Sequence, residues 1–126
     1  MRVNQKRPVN LDLASLKYPP MAIASILHRL SGLALFFLLP VMLYLLSVSL
    51  DSDASFMQLQ ETLKGPYYKL MLWVFSAALV YHLLAGVRHM LLDLGCWESL
   101  LAAHRSAVGV LAMAVFSTVF LGVWIW

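Results

Sequence analysis

His82 stands in Leu70–Val87, a run of 18 residues without Asp, Glu, Lys or Arg. It opens the row His82-x-x-x-Gly86-x-Arg88-His89-x-x-x-Asp93. A titratable group inside an apolar span is costly in hydrocarbon and marks a functional site by default. Axial ligation of haem iron is the chemistry that most needs such an imidazole. Gly86, one turn after His82, removes a side chain and would admit a flat macrocycle or another helix. Gly86, Arg88 and Asp93 in one segment favour a cofactor site over a histidine that only hydrogen-bonds a neighbouring helix.

Spacing limits what this segment does alone. His82 precedes Arg88 by six residues, about 9 Å along a helix, which places it inside the membrane but short of the middle. His89 follows His82 by two turns, roughly 10.5 Å along the axis. Two axial nitrogens on one iron stand on the order of 4 Å apart. His82 and His89 therefore cannot clamp one haem between them.

A second polar group occurs at Ser25, His28, Arg29 and Gly32, at i, i+3, i+4 and i+7 of one helix. Hydroxyl, imidazole and guanidinium together could hydrogen-bond a quinone carbonyl or pair with haem propionates, since the Arg fork takes two oxygens. The bland alternative is a snorkelling Arg29 and a Ser25 bonded to its own backbone. His104-Arg105 reads as an interfacial anchor, and Tyr44, Tyr67, Tyr68, Trp73 and Trp97 as belt residues.

The elements that position these residues are membrane spans. Of 126 residues, 62% are hydrophobic and 12% charged, with mean hydropathy +0.81; soluble domains average about 45–50% apolar and about 25% charged. Leu30–Leu50 and Ser106–Trp126 are charge-free over 21 residues each and Leu70–Val87 over 18, where a span needs about 20. Tyr18-Pro19-Pro20 and Gly65-Pro66 mark helix starts. The expected layout is an all-α integral membrane domain over 1–126: tail 1–20, helix I 21–50, helix II 67–90 and helix III 104–126, with Asp51 to Lys69 as a loop. The N-terminus does not resemble a cleaved secretory signal, and the lone Cys96 forms no internal disulfide. A soluble catalytic domain, a glycine-rich phosphate loop and a cysteine cluster are all excluded.

Orientation follows the basic residues. Arg2, Lys6, Arg7, Lys17, Arg29, Arg88 and Arg105 fall on one side, and Lys64 and Lys69 on the other. The N-terminus and the second loop thus face the cytoplasm or matrix. The net charge of +3 reflects this asymmetry and does not indicate nucleic-acid binding.

Three segments narrow the reading further. Arg7-Pro8-Val9-Asn10-Leu11-Asp12-Leu13, Ser25-Ile26-Leu27-His28-Arg29-Leu30-Ser31-Gly32 and His82 through Asp93 resemble the cytochrome b membrane-anchor subunits of succinate dehydrogenase (respiratory complex II). The motifs occur in order in the N-terminal third and helix II, and the three-span layout extends the likeness over nearly the whole chain. Leu92 departs from it, since the family more often has an aromatic or Met there, but the change is apolar for apolar.

The resemblance implies an anchor in the bacterial inner membrane, N-terminus cytoplasmic, packed with a second anchor subunit. His82 would be one axial ligand of a b-type haem, and the second anchor would supply the other. Ser25 and Arg29 would bind ubiquinone; His28 and Arg29 would lie near the haem propionates. A flavoprotein and an iron–sulfur subunit are the implied peripheral partners. They would hold the flavin and clusters, so this chain has no catalytic residue of its own. The rival is a non-redox anchor or small transport component with structural or proton-relay histidines.

Overall fold

Proline fixes where two of the long helices begin. In the computed structural model, which describes residues 17–97 and 99–126, α1 runs Pro20–Asp51, α2 Asp53–Leu63, α3 Pro66–Asp93 and α4 Leu100–Ile125. Pro20 and Pro66 occupy first-turn positions, where the missing N–H would have no intrahelical partner anyway. The segment Arg7–Leu13 and most of the 1–20 tail lie outside the described residues.

Helices α1, α3 and α4, of 32, 28 and 26 residues, are each long and apolar enough to cross a membrane. At 1.5 Å per residue even α4 spans about 39 Å, more than a ~30 Å hydrocarbon core. Pro40 lies inside α1, a position that membrane helices tolerate.

The structure departs from the sequence reading in the first loop, where an 11-residue helix, α2, replaces the expected connection. Ser52 caps it: its Oγ accepts from Ser55 N–H at 3.2 Å, and Ser55 Oγ accepts from Ser52 N–H at 3.0 Å. This reciprocal pair is a capping box, and it satisfies two backbone donors at once. The start of α4 also differs. Ser99 accepts from Ala102 N–H at 3.2 Å, so the helix begins at Leu100 and not at His104.

Between α3 and α4 the chain turns through a Schellman motif. Cys96 N–H donates to Leu91 O at 2.9 Å and Gly95 N–H to Leu92 O at 3.0 Å. Gly95 adopts φ 80°, a conformation that only glycine takes without strain.

The three spans meet through small side chains. Ala24, Ala85, Ala107 and Ala114 are buried, together with Tyr81, Ser31 and Arg88. Small residues let membrane helices approach closely where no hydrophobic force between them exists. Polar ties then fix the register. Tyr81 Oη donates to Ala24 O at 2.7 Å, joining α3 to α1. Trp73 Nε1 donates to Thr118 O at 2.8 Å, joining α3 to α4. α3 is thus the element that both other spans grip.

Candidate functional site

The site is built where α1 and α3 cross. Residues on a helix are separated by about 100° around the axis. Relative to Ser25, His28 and Gly32 therefore fall on one flank and Arg29 on the other. The structure realises this division. His28, Ser31 and Gly32 turn to α3, Arg29 is exposed, and Ser25 is half-buried. The stripe read from sequence is thus two adjacent faces of one helix.

The rings of His28 and His82 stack with centroids 4.2 Å apart and planes 19° from parallel. The ring of His89 is also close, its centroid 5.1 Å from that of His28 and its plane tilted by 45°. Although His82 and His89 are two turns apart on α3, His28 from α1 comes close to both rings. The imidazole Nε2 of His28 is buried without a hydrogen-bond partner among the described residues. A buried polar atom in that condition is rare enough to require an explanation, and an absent ligand or subunit is one.

The other nitrogen pair is occupied differently. His82 Nδ1 lies 3.0 Å from Ser31 Oγ and 3.2 Å from His28 O. Ser31 Oγ itself donates to His28 O at 2.7 Å. A Cβ at Gly32 would stand 3.0 Å from His82 Cε1, so the missing side chain lets this edge of the ring lie against the α1 backbone. At Gly86 a Cβ would meet His28 Nε2 at 3.5 Å, an ordinary contact. Gly32 is thus the tighter of the two glycines.

These features fit a haem ligand. Metal-ligating histidines normally give their other N–H to a carbonyl or similar acceptor, which fixes tautomer and ring orientation. Among the described residues no hydrogen bond engages His82 Nε2, while Nδ1 faces two oxygens. Nor do the described residues hold a group of three or more His, Cys, Asp or Glu placed around a bare metal ion. The donor set is that of a single imidazole.

Arg88 corrects the sequence reading. It is 4% exposed and is directed to α4, away from the His28–His82 stack. Its Nε donates to Ser106 Oγ at 3.0 Å and its Nη2 to Ala103 O at 3.0 Å. Its guanidinium therefore serves helix packing, because a desolvated charge has to be held by hydrogen bonds. Asp93, at the end of α3, is exposed. Neither supports the cofactor argument that Gly86, Arg88 and Asp93 seemed to make together from sequence.

Ser31 was missed in the opposite sense. It lies in the quoted motif but off the Ser25–Arg29 stripe, and only the crossing with α3 brings it to His82. The one signal in the sequence was a hydroxyl directly before Gly32 in an otherwise apolar run. Nothing beyond adjacency to His82 pointed to Tyr81.

An all-α bundle with three helices long and apolar enough to cross a membrane defines a multi-pass membrane protein. Residues 3–121 match the succinate dehydrogenase/fumarate reductase transmembrane subunit family, and the chain belongs to that family. It is 46% identical over 125 residues to the succinate dehydrogenase cytochrome b556 subunit of Coxiella burnetii, covering 98% of this chain and 100% of that one. The subunit of the same description from Rickettsia typhi is 32% identical, with 96% and 94% covered. That from Paracoccus denitrificans is 30% identical, with 86% and 84% covered.

Proposed function

We propose that this chain is the cytochrome b anchor of a succinate:quinone oxidoreductase in a bacterial inner membrane, with its N-terminus in the cytoplasm. His82 supplies one axial ligand of a b-type haem and a second membrane subunit supplies the other. The flavoprotein and iron–sulfur subunits dock on the cytoplasmic face and deliver electrons from succinate. The observation that carries the reading is the His82 imidazole, held inside a membrane helix with Nδ1 facing acceptors. The likeness to succinate dehydrogenase cytochrome b556 subunits supports it.

His28, stacked on His82 and unpartnered at Nε2, suits an anionic group such as a haem propionate. Arg29 is free to reach the same region from its exposed face. When bound, the haem supplies a one-electron store beside the quinone. The quinone itself is held by Ser25, whose hydroxyl donates to a carbonyl, and by Arg29, whose guanidinium stabilises negative charge on the oxygen being reduced. They lie on the second and third turns of α1, near the cytoplasmic membrane surface.

The decisive experiment replaces His82 by Ala in the intact complex and records a low-temperature visible spectrum. Loss or alteration of the six-coordinate b-haem signature is expected. An unchanged bis-histidine spectrum would exclude His82 as ligand, whereas absence of any b-haem band from the assembled, unmodified complex would favour the non-redox anchor.

A further inference from the structure

We propose that Ser31 is a positioning residue for His82, setting the tautomer and orientation of the ring through a shared hydrogen bond on α1. The inference rests on the reading of His82 as a haem ligand and adds to it a residue that acts through the ligand.

Three atoms make the argument. Ser31 is buried at 8% exposure, and its hydroxyl proton is directed to His28 O at 2.7 Å. With its proton spent there, Ser31 Oγ faces His82 Nδ1 at 3.0 Å only as an acceptor. The carbonyl of His28, 3.2 Å from the same nitrogen, is an acceptor by nature. Both neighbours of Nδ1 thus require a proton on it. A neutral imidazole has one such proton, so Nε2 holds the lone pair.

The tautomer needed to bind iron through Nε2 is therefore dictated by α1, although the ligand belongs to α3. The Gly32 contact is independent support. A Cβ there would come to 3.0 Å from Cε1 and 3.5 Å from Nδ1, so the ring is seated against the backbone one residue from the hydroxyl that holds it. Ring rotation would break the Nδ1 contacts and drive the edge into the helix.

Donation from Nδ1–H also enriches the electron density at Nε2, which favours the oxidised iron. Removing the hydroxyl leaves only the longer contact to His28 O. Outer-shell changes of this kind typically cost about 10–100-fold in metal affinity or activity.

The test uses the assembled complex with Ser31→Ala, Ser31→Thr and His82→Ala. The readouts are the rate of haem transfer to an apoprotein acceptor and the haem midpoint potential from a redox titration. Ser31→Ala should lose haem roughly 10–100-fold more readily and raise the midpoint potential. Ser31→Thr keeps the hydroxyl and should restore both. If Ser31→Ala matches the unmodified complex in both readouts, while His82→Ala loses the haem signature, the positioning role is wrong and the ligand stands. If Ser31→Thr deviates as far as Ser31→Ala, packing and not the hydroxyl is responsible, and the proposal is likewise overturned. If His82→Ala keeps the bis-histidine spectrum, the ligand reading falls and the proposal with it. Where Ser31→Ala does not assemble, Ser31→Cys, with a sulfur that accepts only weakly, takes its place under the same criteria.

Discussion

Ser25 and Arg29 lie one turn apart on α1, and their chemistry ranks the damage expected from removing each. In the proposed quinone site, Ser25→Ala would delete a hydrogen bond to a neutral carbonyl, about 0.5–1.5 kcal/mol, or roughly 2–12-fold in rate. Arg29→Ala would delete a charge-assisted contact, about 1.5–3 kcal/mol, or on the order of 10–100-fold. Because Arg29 is exposed on the described chain, the upper figure requires that a partner or the quinone itself exclude water from it. Succinate–quinone and succinate–dye activities in the same membranes check the ranking: quinone reduction should fall more for Arg29→Ala, and dye reduction should hold in both variants. Full quinone turnover in both would end the quinone role. At this scale the sequence disclosed chemical type and missed contact. His82, Ser25, His28 and Arg29 stood out because polar groups in apolar runs demand a reason. Ser31 did not, because a serine bonded to its own helix is commonplace and the second bond comes from a residue 51 positions away.

Helices carry the next level of error and its physical cause. The spans were legible from charge-free length and from Pro20 and Pro66, since both signals are local. α2 was not, because 11 residues with little apolar bias resemble a loop, and its capping box uses Ser55 in the place where Glu or Gln is usual. The start of α4 was read from the charges at His104 and Arg105, whereas the cap is Ser99 and the intervening Leu100-Leu101-Ala102-Ala103 is ordinary helix. Arg88 was misread because its sequence neighbours are the site's, while its contacts are on α4. Its two charge-assisted bonds to Ser106 and Ala103 make a firm prediction. Arg88→Ala should lower the thermal stability of the purified complex, with about 3 kcal/mol or more lost if both bonds go. Arg88→Lys should recover only part of it, since a flexible ammonium lacks the fixed planar fork that meets Ser106 and Ala103 through Nε and Nη2. Thermal denaturation in detergent reads both, and equal midpoints for Arg88→Ala and the unmodified complex would mean that the clasp adds nothing. Trp73→Phe, which deletes the N–H donated to Thr118 O, should cost only about 0.5–1.5 kcal/mol in the same assay.

Taken whole, the chain buries little that is large. Among the described residues no side chain of appreciable volume is fully enclosed, and Phe36, Phe37, Leu43, Phe116 and Val123 all face outward. Lipid solvates such groups as well as protein does, so they need no partner. The polar groups do. Among the described residues His28 Nε2 is buried and unpaired, His82 offers a nitrogen that none of them engages, and Arg29 stands exposed. Unsatisfied polar groups in hydrocarbon cost several kcal/mol each, whereas an ordered membrane bundle is stabilised by contacts of about 0.6–2 kcal/mol apiece. On the proposed shared-haem reading the described helices form one half of a site, and stability should depend on whatever completes it. Expressed without a second anchor subunit, the chain should be degraded or should purify without stoichiometric haem; co-expression should restore both yield and spectrum. Quantitative immunoblotting of membranes, read beside haem content, separates these cases. A lone chain recovered as a monomer with one low-spin haem per polypeptide would show that its own residues supply both axial ligands, against the spacing of His82 and His89 and against the shared-haem reading.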